Sequence, residues 1–183
     1  MRNKGLNVIE TTLVIGGCRS GKSAHAQSLA ERIPGGPKVY IATCVPGDDE
    51  MRQRVAQHQA LRGPAWTTAE VPIDLAGAVE QNQTGSRVVL VDCLTLWTTN
   101  LLMDKHSSSQ IEKAVADLTQ VLQTPRCPII LVTNEVGTGI VPENRLARRF
   151  RDLAGWTNQQ VAAAVNKVFW TVAGIPVKIK PQP

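Results

Sequence analysis

Aromatic side chains are scarce in this 183-residue chain, at 4% of its composition, and its one tyrosine, two phenylalanines and four scattered tryptophans leave little with which to stack bases. A groove for single-stranded nucleic acid is therefore not expected, and a net charge of +5 spread along the chain is met more simply by small anionic substrates. Paired cysteines are lacking as well: Cys18, Cys44, Cys93 and Cys127 contain no Cys-x-x-Cys, so neither a zinc site nor a disulfide framework is indicated. They read as reduced thiols in or near packed strands. No apolar run approaches the roughly 20 residues that span a bilayer, so no membrane span is expected. The stretch Met1-Arg2-Asn3-Lys4-Gly5-Leu6-Asn7 has no apolar core of the signal-peptide kind, and the expected location is cytoplasmic.

What the sequence does contain is concentrated near its start. Leu13-Val14-Ile15 runs straight into Gly16-Gly17-Cys18-Arg19-Ser20-Gly21-Lys22-Ser23, a Gly-x-x-x-x-Gly-Lys-Ser pattern, and a helix-compatible segment follows from Ala24 to Ile33. Strand, phosphate loop and helix come in the order that polyphosphate binding requires. Gly16 and Gly21 let the backbone turn so that N–H groups and a helix N-terminus converge on phosphate, Lys22 adds a point charge, and Ser23 offers a hydroxyl to Mg²⁺. Cys18 either gains thiolate character among those amides or fills a position the pattern leaves unspecified.

The remaining chain alternates strands with helices. Lys38 to Thr43 reads as a strand, and Thr43 at its end is a candidate nucleotide-binding residue. A helix is expected over about Glu50 to Arg62, with Arg54, His58 and Arg62 on one ridge at i, i+4 and i+8. A short strand over Ala65–Val71 and a short helix over Asp74–Gln81 follow. Val88-Val89-Leu90-Val91-Asp92 suits a buried parallel strand that carries an acid to the sheet's carboxyl edge, where it helps to hold Mg²⁺. Helices are expected over Leu94–Met103, around the stripe Ile111, Val115, Leu118 and Leu122, and from Arg145 to about Asn166 with Leu146, Phe150, Leu153, Val161 and Val165 inward. Pro128 to Thr133 is another buried strand. Val168–Gly174 and Val177–Lys180 form a closing hairpin across Gly174-Ile175-Pro176. The expectation is one α/β domain over residues 1–183 of the P-loop NTPase type: a mostly parallel sheet with helices on both faces and an antiparallel C-terminal hairpin. His25 reads as a surface residue of the first helix, Glu135 and Asn144 as either substrate-side residues of the site or caps of the long helix, and Arg148, Arg149 and Arg151 as the solvated face of the long helix.

Four segments together carry a family likeness: the phosphate loop, the helix with Arg54 and His58, Val91-Asp92-Cys93-Leu94-Thr95 through Asn100-Leu101-Leu102, and Val132-Thr133-Asn134-Glu135-Val136-Gly137-Thr138-Gly139-Ile140-Val141-Pro142-Glu143-Asn144-Arg145. Across nearly its whole length the chain resembles the bifunctional adenosylcobinamide kinase / adenosylcobinamide-phosphate guanylyltransferase family of cobalamin biosynthesis. The resemblance implies phosphorylation of adenosylcobinamide by ATP or GTP, then transfer of GMP from GTP to adenosylcobinamide phosphate through a GMP-histidine intermediate. It implies that His58 is the guanylylated residue, that Glu70 and Asp92 contact the guanine nucleotide, with a looser match for Arg62, and that the protein is a homotrimer. Two departures stand out: Gln57-His58 replaces the paired histidines of some relatives, and Cys18 stands where alanine is common. Without the likeness, the ridge around His58 reads first as a solvated basic face with an idle histidine, and the protein as a plain P-loop small-molecule kinase.

Overall fold

A computed structural model describes residues 9–46, 49, 53 and 62–181. Its sheet has seven strands in the order β3-β2-β4-β5-β1-β6-β7. The strands are β1 (Thr11–Gly16), β2 (Lys38–Ala42), β3 (Trp66–Glu70), β4 (Val88–Asp92), β5 (Ile129–Asn134), β6 (Lys167–Val172) and β7 (Ile175–Lys180). The helices among the described residues are α1 (Lys22–Glu31), α2 (Leu75–Asn82), α3 (Leu94–Met103), α4 (Ser108–Gln123) and α5 (Arg145–Ala164). All strand pairs are parallel except β6 with β7. The expected P-loop type of sheet, with its antiparallel hairpin, is what forms.

The continuous apolar strands are buried on both faces, as a covered parallel sheet requires. Within β4, Val89 and Val91 join the larger core cluster, with Leu75, Trp97, Leu118 and Val161 from four helices. Val88 and Leu90 point the other way, into a smaller cluster with Ala26 and Ala30 of α1. The helical cover is therefore unequal: among the described residues α2 to α5 line one face and α1 the other. The stripe Ile111, Val115, Leu118 and Leu122 is buried as its spacing predicts. A capping box at Ser107 and Gln110 fixes where that helix starts.

Three expectations change. Leu146, in the first turn of α5, is not inward but 50% exposed. The hairpin turns at Ala173-Gly174, both at positive φ (50° and 81°), rather than across Gly174-Ile175-Pro176. Two left-handed residues match the right-handed twist of the flanking strands, so Ile175 and Pro176 are left to pair in β7. His25 is half-buried, edge-on to Phe169 of β6 with ring centroids 5.0 Å apart. Burial first, and then the nearby Arg32 charge, hold its pKa below the ordinary histidine value. Of the helix expected over Glu50–Arg62, Asp49 and Gln53 are helical, while Arg54 and His58 lie outside the described residues.

Leu118 has no solvent exposure. Leu118→Ala should lower the unfolding free energy by about 2–5 kcal/mol, read as a lower urea midpoint at unchanged slope; an unmoved midpoint would show that the α4 stripe is not core.

Candidate functional site

The carboxyl end of β1 delivers Gly16 to the sheet edge, and the chain from there to Lys22 curls over the start of α1. Gly21 adopts φ 92° at the helix N-cap, with neither a side-chain cap nor an acid in the first turn. By contrast α2, α4 and α5 are capped by the side chains of Asp74, Ser107 and Asn144. The first N–H groups of α1 therefore face the edge with no side-chain acceptor at their cap, the arrangement that favours an anion. Lys22 Nζ lies across the loop and donates to the Gly17 carbonyl at 3.1 Å.

Two neighbouring strands hold this loop by its backbone. Glu135 N–H, just past β5, donates to Gly16 O at 3.0 Å, and Gly174 N–H of the hairpin turn donates to Ser20 O at 2.9 Å. A Cβ on Gly16 would lie 2.5 Å from the Thr171 carbonyl, so the site admits only glycine without a backbone shift, whereas a Cβ on Gly17 would meet nothing within 4 Å. The loop, Ser23, Ala24 and the turn Asn134-Glu135-Val136 enclose a cleft of about 650 Å³.

A second group of polar residues stands at the same edge on β2, β3 and β4. Ala42 is flanked in register by Glu70 on one side and Asp92 on the other. The Tyr40 hydroxyl donates to the Asp92 carboxylate. Burial, then the Asp92 charge, push the phenol well above its ordinary range, while Arg62 pulls the other way. The Arg62 guanidinium lies 3.7 Å from the Tyr40 ring centroid and donates to Thr68 Oγ1 at 3.3 Å. Cys44 sits beside both acids, its thiol raised by burial and then by Asp92 and Glu70. Thr43 is fully buried. Its hydroxyl donates to Cys93 O at 2.7 Å and accepts from Cys93 N–H at 2.9 Å, tying the end of β2 to the residue after Asp92.

The structure thus brings Gly16, Gly17, Cys18, Arg19, Ser20, Gly21, Lys22 and Ser23 into one locus and Thr43, Arg62, Glu70 and Asp92 into another. Strand β5 separates them, which puts Asp92 two strand spacings from β1, roughly 10 Å. Between them, burial first and then the Asp92 charge push the Cys93 thiol up, with the Lys22 charge a smaller opposing influence. Among the described residues no cluster of three or more His, Cys, Asp or Glu side chains could hold a metal ion. Ser23 and Asp92 supply hard oxygen donors, which suits a cation such as Mg²⁺ that completes its shell with substrate phosphates and water.

Several participants escaped the sequence reading. Tyr40 is placed under Arg62 and against Asp92 by strand register. Asn100 of α3 donates to Thr43 O at 2.7 Å and to Pro72 O at 3.0 Å. Arg151 and Arg148, expected to be solvated, brace the loop after β5: Arg151 donates to Gly137 O at 2.5 Å, and Arg148 to Pro142 O at 3.0 Å and to Glu143 O. Asn144 caps α5 by accepting from Ala147 N–H at 3.0 Å. The one available signal for this bracing was the spacing of the arginines behind a glycine-rich turn.

Comparison with known proteins matches the sequence model of the family described as "Cobinamide kinase / cobinamide phosphate guanyltransferase" over residues 12–179. A relative from Salmonella typhimurium, the bifunctional adenosylcobalamin biosynthesis protein CobU, is 45% identical over 180 residues, 92% of this chain and 98% of that protein. The bifunctional adenosylcobalamin biosynthesis protein CobP of Pseudomonas aeruginosa is 43% identical over 171 residues, 93% of this chain and 98% of that one. In fold alone, the chain is similar to the flagellar accessory protein FlaH of Methanocaldococcus jannaschii, with a TM-score of 0.51 at 14% identity over 93% of this chain and 78% of that one.

The unequal surroundings of the two loop glycines give a paired test. Gly16→Ala should lower the melting temperature and weaken binding of a fluorescent nucleotide analogue, while Gly17→Ala should melt like the parent. A Gly16→Ala protein with unchanged melting and binding would contradict the clash with Thr171.

Proposed function

The chain belongs to the cobinamide kinase / cobinamide phosphate guanyltransferase family, and on that premise we propose that it phosphorylates the side-chain hydroxyl of adenosylcobinamide with ATP or GTP, then joins GMP from GTP to the new phosphate and releases pyrophosphate. The observation that carries this reading is the phosphate-loop cleft standing beside a separate, carboxylate-bearing locus on one sheet edge. Phosphorylation needs attack at a γ-phosphate, and guanylyl transfer needs attack at an α-phosphate. One loop grip with two sets of neighbours suits both better than a single pocket would.

In this reading Gly16 to Ser23 cradle the phosphates, and Lys22 neutralises the charge that gathers on the departing diphosphate or pyrophosphate. Mg²⁺, held by Ser23 and Asp92 with the nucleotide's own phosphates, would supply further charge neutralisation at the phosphoryl oxygens. Glu70 and Asp92 face the guanine nucleotide. Arg62, anchored over Tyr40, presents a cation from the same locus. His58 attacks the α-phosphate as a neutral imidazole, and Arg54, four residues earlier in the sequence, steadies the phosphoryl oxygens and favours the uncharged, nucleophilic ring. Thr43 acts on the nucleotide indirectly, by fixing the Asp92-Cys93 backbone.

The protein works in the cytoplasm and assembles as a homotrimer in this reading. Supporting the assembly, one face of the last hairpin presents Trp170, Val172, Ile175 and Val177, exposed by 46%, 44%, 66% and 48%. An apolar sheet face of this kind is costly to leave in water. Trp170→Glu should shift the sedimentation coefficient towards that of a monomer, and a parent protein that sediments as a monomer would remove the trimer from the proposal.

The chemistry is tested by incubation with α-labelled GTP and magnesium. Label should remain on the protein as an acid-labile, alkali-stable adduct that maps to His58. His58→Ala should abolish guanylyl transfer and leave phosphorylation, and Lys22→Ala should impair both. Normal transfer by a protein that retains no label would overturn the histidine intermediate.

A further inference from the structure

The two proposed half-reactions differ by one proton. A hydroxyl keeps its proton at neutral pH and must lose it as its oxygen bonds to phosphorus. The phosphate that accepts GMP is already ionised there and has no proton to give up. A proton acceptor is therefore needed for phosphorylation and not for guanylyl transfer.

Among the described residues that enclose the phosphate-loop cleft, Glu135 carries the only carboxylate. Three separate constraints place it. Its own N–H is bonded to Gly16 O, the first residue of the loop, at 3.0 Å. Its Oε1 accepts from Gly137 N–H at 2.6 Å, which fixes the carboxylate plane without using both oxygens in that contact. The residue before it, Asn134, has both backbone groups held from behind: its N–H donates to Thr95 Oγ1 at 2.7 Å, and its carbonyl accepts from Asn158 Nδ2 at 3.1 Å.

Those two holding groups are themselves joined. Thr133 Oγ1 donates to Asn158 Oδ1 at 2.7 Å, so its single hydroxyl proton is committed, and Thr95 must be the donor in the 3.2 Å contact between the two threonines. The result is a one-way chain, Thr95 to Thr133 to Asn158 to the Asn134 carbonyl, through side chains that are 7%, 1% and 7% exposed. A buried chain in which every donor has an acceptor gives a rigid mount for whatever it holds, because breaking any link strands a polar group. Here it holds the turn that carries Glu135.

We propose that Glu135 is the general base of phosphoryl transfer, an assignment that rests on the kinase reading above. The acceptor hydroxyl oxygen attacks the γ-phosphorus and forms the new O–P bond. The bond from γ-phosphorus to the bridging oxygen breaks, and its electron pair leaves with the nucleoside diphosphate. The hydroxyl proton passes to the Glu135 carboxylate and from there to water. Asn158 is a positioning residue for that carboxylate.

The test assays the two half-reactions separately on the full chain: ATP with adenosylcobinamide, and GTP with adenosylcobinamide phosphate. Glu135→Gln keeps an oxygen for Gly137 N–H and removes the basicity. Phosphorylation kcat should fall about 10²-fold or more, with KM for ATP unchanged and guanylyl transfer at the parent rate. Asn158→Asp keeps the acceptor for Thr133 and loses the donor to Asn134; it should lower phosphorylation kcat by less, again without a change in KM, and melting curves for both variants report their folding. Equal loss in both half-reactions would assign Glu135 to nucleotide binding, and undiminished phosphorylation would remove it as a base. Either result overturns the proposal while leaving the kinase reading intact, whereas a parent protein that phosphorylates no corrinoid overturns both.

Discussion

The structure depends on a backbone clamp. A phosphate loop works only if its amides stay aimed at a common point, and this loop has no side-chain cap and no acid in its first helical turn to help. What holds it is main chain on both flanks, with Glu135 N–H on Gly16 O and Gly174 N–H on Ser20 O. That demand explains why β1 sits between β5 and β6, and why Gly16 lies so close to Thr171 that a methyl group has no room. Hydrogen bonds of this kind are worth about 1 kcal/mol each, but their geometric value is larger, because they convert a flexible glycine-rich segment into part of the sheet.

Strand order then decides how the chemistry is divided. The strand between β1 and β4 keeps Asp92 off the loop itself and fills the gap with Asn134 and Glu135. Tyr40, Arg62, Glu70 and Asp92 consequently form a neighbourhood of their own, knit by the stacking of Arg62 on Tyr40 and the hydrogen bond of Tyr40 to Asp92.

The parts legible in the sequence were those with a local period or a local motif. The phosphate loop, the apolar run ending in Asp92, and the α4 stripe all emerge where spacing places them. The illegible parts are contacts across long separations. Thr43 and Cys93 pair across 50 positions, and Thr133 meets Asn158 across 25. No periodicity encodes such partners, so the sequence offers Thr43 as a nucleotide-binding candidate without showing that its hydroxyl is bonded to Cys93. Arg148 and Arg149 are exposed, as the solvated-face reading has it, but helical phase alone cannot show that Arg148 and Arg151 also reach the carbonyls of the loop after β5. Leu146 fails for the opposite reason: helical phase places it with the inward residues, but it stands on the first turn of α5 and is half exposed. The ridge of Arg54 and His58, read from spacing and given a role only through the family likeness, lies outside the described residues.

The hairpin turn at Ala173-Gly174 reaches back across most of the chain to grip a motif near residue 20. A nascent polypeptide would release its nucleotide-binding signature from the ribosome early, yet that signature stays unbraced on one flank until β6 and β7 have emerged. Such distant closure favours slow, late consolidation, so a half-made chain has little means of sequestering cellular triphosphates before it can use them.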